Sequence, residues 1–234
     1  MAEVRASPLS SEKLRETADA AVGDVQSGST VMVGGFGDAG VPFALIDALV
    51  RRGVTDLSIV ANNCGTGERG LAALFKHGMV RRVYASFPAQ AGNGHFAESF
   101  RSGRTELVLI PQGTLAERIR AAGAGLGGIL TPTGVDTLVA EGKQVVLVDG
   151  RSYLLELPLH ADVALVRAHT ADTSGNLRYR LSSRNFNPVM AMAARCTIAE
   201  VERLVEVGAL DPDDVHTPGV FVDRLFVAPA GRRE

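Results

Sequence analysis

Val31-Met-Val-Gly-Gly-Phe-Gly-Asp-Ala-Gly-Val-Pro42 is the stretch on which the reading of this chain turns. Val31 to Val33 is a short apolar run of the kind that forms a buried strand. Four glycines follow within seven residues, and Pro42 opens the amphipathic segment Phe43 to Arg52. The pattern predicts strand, glycine turn and helix. Glycine lets the backbone take positive φ and lets a ligand come close. Proline suits the first helical position, where its missing N–H is no loss. The free N–H groups and the dipole at such a helix start favour an anionic or carbonyl-bearing ligand.

Outward from this stretch, apolar runs and helical patterns alternate. Ser11 to Gly23 reads as a helix with Ser10 or Ser11 as N-cap. Leu57 to Ala61, Val80 to Phe87 and Thr105 to Ile110 read as strands. Glu68 to His77, Asn93 to Ser102 and Leu115 to Ala122 read as the helices between and after them. Past Gly128 the signals change. Lys143 to Val148 and Arg151 to Glu156 flank Asp149-Gly150, a hairpin pair. A buried strand is expected at Val163 to Ala168, and a second hairpin turn at Ser174-Gly175-Asn176. Asn187 to Ala194 is expected to be helical, Ile198 to Val207 fits strand or helix, and Val220 to Val227 is a last strand. The expected fold is therefore α/β: a Rossmann-like, mostly parallel sheet with helices on both faces, and a mixed, hairpin-rich C-terminal part. No linker or low-complexity segment divides residues 1–234, which read as one domain.

Composition excludes several classes of function. A net charge of −2 gives no basic field for nucleic acid or an anionic membrane. No run reaches transmembrane length, and Met1 to Arg15 is polar without the apolar core of a secretion signal. The two cysteines, Cys64 and Cys196, lack CxxC spacing and suggest neither zinc nor a disulfide framework. No metal site is expected, and reduced thiols point to the cytoplasm.

Gly35-Phe-Gly37-Asp-Ala-Gly40 matches G-x-G-x-x-G after a strand and before a helix, so dinucleotide binding has to be weighed. That fingerprint also wants an acid at the end of the second strand for the ribose hydroxyls. Here the strand ends in Asn62-Asn63, and Asp56 lies at its beginning. A tight turn without a ligand is a second reading. A third comes from three strand ends together, Gly34-Gly35, Asn62-Asn63 and Gln112-Gly113. In parallel sheets, ligands sit outside the carboxyl ends of strands. Uncharged amides there suit a carbonyl, thioester or amide-rich ligand. Cys64 lies beside the Asn62-Asn63 turn with nothing nearby to depress its pKa. His77, His95, His169 and His216 stand in polar stretches or at a helix end and read as surface residues, whereas His160, in Leu157-Pro-Leu-His-Ala-Asp162, is kept as a candidate contact. No nucleophile-and-base pair emerges: there is neither GxSxG nor HExxH.

Together these residues resemble the A (α) subunit of class I coenzyme A-transferases. The match lies in the 31–42 stretch, Asn62-Asn63, Pro111-Gln-Gly-Thr-Leu-Ala-Glu-Arg118, Gly123-Ala-Gly125, Thr131-Pro-Thr-Gly134 and Arg184-Asn-Phe186. It runs from about Thr30 to Leu225. Ser27-Gly28 stands where the family signature has Asp-Gly, a departure that affects a turn. Within the family, Leu155 to Asp162 and the short Val139-to-Val148 connection look most like the branch that acts on 3-oxoadipate rather than acetoacetate.

The resemblance implies a ping-pong transfer of CoA from succinyl-CoA, with CoA as substrate and no permanently bound cofactor. It places the nucleophilic glutamate in a Ser-Glu-Asn-Gly motif on a partner B subunit, in an A2B2 assembly. This chain has no such motif. It further implies that Gly34, Gly35, Phe36, Gly37, Asp38, Ala39 and Gly40 form a CoA-binding stretch with Asn62 and Asn63 nearby. Gln112 would assist by hydrogen-bonding the glutamate or the carboxylate being activated.

Overall fold

The computed structural model describes residues 12–229. In chain order its elements are β1 (Leu14–Arg15), α1 (Ala18–Ala21), β2 (Thr30–Val33), α2 (Phe43–Arg52), β3 (Leu57–Val60), α3 (Leu71–Lys76), β4 (Val80–Ala85), α4 (Gly94–Arg101), β5 (Glu106–Leu109) and α5 (Gln112–Gly123). There follow β6 (Ile129–Thr131), β7 (Val145–Val148), β8 (Arg151–Glu156), β9 (Ala161–Asp172), β10 (Leu177–Arg178), α6 (Asn187–Ala193), β11 (Ala194–Val205) and β12 (Arg224–Val227). The main sheet runs β1-β12-β11-β9-β2-β3-β4-β5, with β10 hydrogen-bonded to β9. Every pairing along that path is parallel, and only β10 is antiparallel.

A parallel sheet covered on both faces needs strands that are apolar on both sides. Val31 and Val33 point into one core, Met32 into the other. Val163 and Leu165 alternate with Ala164 and Val166 in the same way. The first core also takes Leu45, Ile46 and Leu49 of α2, Leu74 and Phe75 of α3, and Phe96 of α4. The second takes Leu115 and Ile119 of α5 and Met190 of α6. Each large aliphatic chain buried this way contributes about 1.5–3 kcal/mol.

The three-stranded sheet β6-β8-β7 is antiparallel and separate from the main one. Its turn is the expected one: Asp149 and Gly150 both have positive φ, +48° and +76°, as a type I′ turn requires. Buried Glu156 on β8 ties this sheet to α5 and the β7 approach, through Arg118 at 3.5 Å and Lys143 at 2.5 Å.

Four expectations change. The helix predicted from Ser11 is a two-residue strand followed by a single turn capped by the Thr17 side chain. Leu14 and Arg15 pair with Leu225 and Phe226, and that pairing overrides local helix propensity. (Ser10 and Ser11 lie outside the described residues.) Ile198 to Val207, open between strand and helix, falls largely in β11, which is flanked by β9 and β12. The mixed character expected past Gly128 is confined to the small sheet and β10, because β9, β11 and β12 are parallel members of the main sheet. Of the last predicted strand, only Arg224–Val227 is strand, since Gly219–Phe221 forms a 3-10 turn.

Candidate active site at the carboxyl edge of the sheet

Register places the strand ends level with one another. Met32 pairs with Val60, and Tyr84 pairs with both Val60 and Val108. Gly34, Asn62, Ser86 and Ile110 therefore leave the sheet side by side. Three strand spacings of about 4.8 Å put the Gly34 and Gln112 ends roughly 14 Å apart.

At the centre of this row stands Asn62, 3% exposed. Its Oδ1 accepts from Gln112 Nε2 at 2.7 Å and from Ser86 Oγ at 2.8 Å. Asn63, also buried, turns inward, its Oδ1 accepting the Gly65 N–H at 2.9 Å in an Asx turn. Asn62 and Gln112 are thus brought together, while Asn63 is a turn former.

Gln112 is the first residue of α5, which begins there and not at Leu115. Pro111 precedes it and supplies no side-chain cap. The first N–H groups of a helix have no partner within it, so the α5 start presents donors beside the Gln112 side chain. Thr114 in the same turn has a buried Oγ1 without a hydrogen-bond partner.

The glycine loop forms a tight turn, with Phe36 N–H donating to Ala39 O at 3.0 Å and Ala39 N–H to Phe36 O at 3.2 Å. Phe36 is half exposed, and a Cβ at Gly37 would meet nothing within 4 Å, so the tip is open to a ligand. Gly34 N–H donates to Leu165 O at 2.9 Å and anchors the loop base to β9.

The helix start after this loop does not offer itself to a ligand as expected. Glu200 on β11, 3% exposed, reaches under α2, and its Oε2 accepts the N–H groups of Ala44 at 2.8 Å and Leu45 at 3.1 Å. The chain supplies its own anion there. Burial pushes the Glu200 carboxyl above the usual range, while those N–H groups and nearby Arg167 act in the opposite direction. Arg167, itself mostly buried, pairs with Glu202 at 3.1 Å. These residues border an open cavity of about 1180 Å³ lined also by Phe43, Arg51 and Arg69, to which Asn62 and Gln112 do not contribute.

His160 is not brought to this edge. It is exposed and immediately precedes β9, whose sixth residue, Val166, is the one level with Gly34. Six residues of strand put it about 20 Å away along the sheet, at the amino edge. Cys64 is fully buried, and burial pushes its thiol up to about 12; it is no nucleophile at neutral pH. Among the described residues no group of His, Cys, Asp or Glu could hold a metal ion, and no helix is long and apolar enough to cross a membrane.

A parallel α/β chain with amides, helix-start donors and an open glycine loop at its carboxyl edge is a ligand-binding unit of an acyl-handling kind. Residues 15–228 match the Coenzyme A transferase family, and the chain belongs to it. It is one subunit of a CoA-transferase. It is 54% identical over 94% of its length to the A subunit of the 3-oxoadipate CoA-transferase of Pseudomonas putida, covering 94% of that chain. It is 50% identical over 89% of its length to the alpha subunit of the acetate CoA-transferase of Escherichia coli K12, covering 94% of that chain. Among solved structures, glutaconate coenzyme A-transferase from Acidaminococcus fermentans shares the fold with a TM-score of 0.82 at 22% identity, over 93% of this chain and 76% of that one. A variant of the decarboxylase AibA/AibB superposes with a TM-score of 0.79 at 26% identity, over 93% and 84%.

Asn187, Glu200 and Arg167 are not reached as site residues from sequence. Asn187 precedes Pro188 at the start of a predicted helix, a weak local sign of a structural role. Nothing local marks the other two.

Proposed function

We propose that this chain is the A subunit of an enzyme that moves CoA from succinyl-CoA to 3-oxoadipate, with the nucleophilic glutamate on a partner B subunit. The observation that carries this reading is the amide row at the carboxyl edge. Asn62 orients Gln112 at 2.7 Å beside the open α5 start, with no nucleophile-and-base pair among the described residues around it. Relatives named as one of two subunits support a two-subunit enzyme, and 54% identity to a 3-oxoadipate enzyme supports the acceptor. A2B2 is the assembly we propose. One sheet shared by both cores supports a single domain, and the absence of a spanning helix among the described residues fits a cytoplasmic enzyme.

In the proposed reaction the partner's carboxylate attacks the succinyl-CoA carbonyl and expels CoA thiolate, leaving a mixed anhydride. The thiolate then attacks the glutamyl carbonyl, giving enzyme-bound thioester and succinate. The acceptor carboxylate displaces the thiolate again to form a second anhydride. Thiolate attack on its acceptor carbonyl yields 3-oxoadipyl-CoA and free glutamate. Covalent catalysis divides one difficult exchange into easier steps. Gln112 and the α5 start supply donors to oxygens that gain negative charge in those steps. Gly34 to Gly40 holds part of CoA.

The test is co-expression with a chain carrying Ser-Glu-Asn-Gly and assay of CoA transfer from succinyl-CoA to 3-oxoadipate, acetoacetate and acetate. Activity of this chain alone would overturn the two-chain reading. Preference for acetoacetate would reassign the acceptor, the reading favoured by 48% identity to a chain of a probable succinyl-CoA:3-ketoacid coenzyme A transferase of Bacillus subtilis.

A further inference from the structure

A single buried carboxamide underlies the glycine loop. Asn187, the first residue of α6, is 0% exposed. Its Oδ1 accepts the Arg167 N–H of β9 at 2.9 Å. Its Nδ2 donates to Gly40 O at 3.1 Å and to Ser183 O at 2.8 Å. One side chain thus joins the central strand, the far end of the glycine loop and the 181–184 turn. Asn185 adds a second hold, its Nδ2 donating to Ala39 O at 3.0 Å.

The loop is shaped to receive that carboxamide. A Cβ at Gly34 would stand 1.9 Å from Asn187 Oδ1 and 2.6 Å from its Cγ. A Cβ at Gly40 would stand 2.7 Å from Asn187 Nδ2 and 2.7 Å from Ser183 O, on a backbone with φ +75°. Gly34 and Gly40 are therefore glycine to admit a neighbour from their own chain. The residues left for a ligand are the tip, Phe36 to Ala39, whose backbone bonds are to each other and to Asn185.

We propose that Asn187 is the positioning residue of the glycine loop, assisted by Asn185, and that it fixes the tip for CoA. This rests on the reading of Gly34 to Gly40 as a CoA-binding stretch. Asn187 lies too deep to touch CoA and acts through Gly40 and the loop base. A buried amide satisfied at three points is well suited to the task, because losing it leaves the Gly40 and Ser183 carbonyls and the Arg167 N–H without their partner.

The experiment uses the complete two-chain enzyme carrying Asn187→Ala, Gly34→Ala, the double substitution, Asn187→Asp and Phe36→Ala. KM for succinyl-CoA, kcat and thermal midpoint are measured for each. Asn187→Ala should raise KM roughly tenfold to a hundredfold, as misplacement of about 1 Å does, with kcat changed less than about threefold. Gly34→Ala should do the same by collision. The double substitution should be no worse than either alone, because removing the carboxamide clears the space for the new methyl. Asn187→Asp keeps the shape and the Oδ1 acceptor but loses both donors, and should reproduce the KM rise. Additive effects of the 34 and 187 substitutions on KM and on midpoint would overturn the lock. Phe36→Ala, outside the lock, tests the CoA reading by itself. If it leaves KM unchanged while 34 and 187 couple in midpoint alone, the loop is held as described but does not serve CoA, and the proposal fails with that reading. If it raises KM and no coupling is found, the lock alone fails.

Discussion

The side-chain nitrogen of Gln112 donates to Oδ1 of Asn62 across 2.7 Å, joining two strand ends fifty residues apart in sequence. Ser86 Oγ occupies the same acceptor at 2.8 Å. Asn62 Oδ1 therefore holds two donors, and one Nε2 hydrogen of Gln112 remains for a third party. The amide is aimed before any substrate arrives. Gln112→Ala should lower kcat by roughly a hundredfold to a thousandfold, the effect of losing one aligned donor to a developing oxyanion. Assembly with the partner should survive, since Gln112 is exposed. Thioester formation from succinyl-CoA, followed by mass on the partner chain, checks it; unchanged turnover would remove Gln112 from the site.

Glu200 under α2 separates charge from hydrogen bonding. Glu200→Ala leaves the Ala44 and Leu45 N–H groups unpaired in a buried position, which should cost about 1–3 kcal/mol in denaturant unfolding. Glu200→Gln keeps an acceptor and should stay within about 1 kcal/mol of the parent. The pH signs differ too. With its carboxyl raised by burial, the folded state holds the proton more tightly than the unfolded chain. Glu200 thus costs stability as pH climbs from the ordinary carboxylate range through its raised value, and the Gln variant should lose that slope.

His216 gives the opposite dependence. Its Nδ1 accepts the Tyr179 N–H at 3.0 Å, a bond that only the unprotonated nitrogen can make. Desolvation lowers its pKa, with Arg184 contributing. The folded state then binds fewer protons, so stability is full above about 6.5, the unperturbed value, and falls as pH drops from there through the lowered one. Thermal midpoints from pH 7.5 down to 5 should show this decline, and His216→Asn, which keeps an acceptor without titrating, should flatten it.

Cys64 should resist chemistry in the native protein. With its thiol pushed up to about 12 and no exposed surface, iodoacetamide at pH 8 should label it only after denaturant is added. Mass mapping of alkylated peptides with and without denaturant is the check. Rapid native labelling at Cys64 would mean that the Asn62-Asn63 turn opens in solution.

Much of the frame is legible in the sequence because parallel strands declare themselves. Val31 to Val33 and Leu57 to Val60 are apolar on both faces, and Asp149-Gly150 admits few turns. Strand ends are legible for the same reason, so Gly34, Asn62 and Gln112 can be placed on one edge. What stays hidden is everything set by contact across the fold. Leu14 and Arg15 look helical until their partners Leu225 and Phe226 are known. The α2 start looks free because Glu200, about 155 residues away, leaves no local mark. His160 stands in a run that resembles the family, yet it precedes β9 and so falls at the opposite edge. Gly34 and Gly40 read as ligand-facing, whereas their missing side chains make room for Asn187.

The Asn187 carboxamide meets Gly40 across a separation of 147 residues, and β2 lies between β3 and β9. This gives the glycine loop a place in time as well as in space. On the ribosome, residues 34–40 emerge long before the asparagine that moulds them, and before the strand to which Gly34 is anchored. Contacts of such long range carry a large loop-closure cost and slow folding. The turn that faces CoA is thus among the last parts of the chain to take shape, and a chain cut short before α6 has the loop's full sequence but not its form.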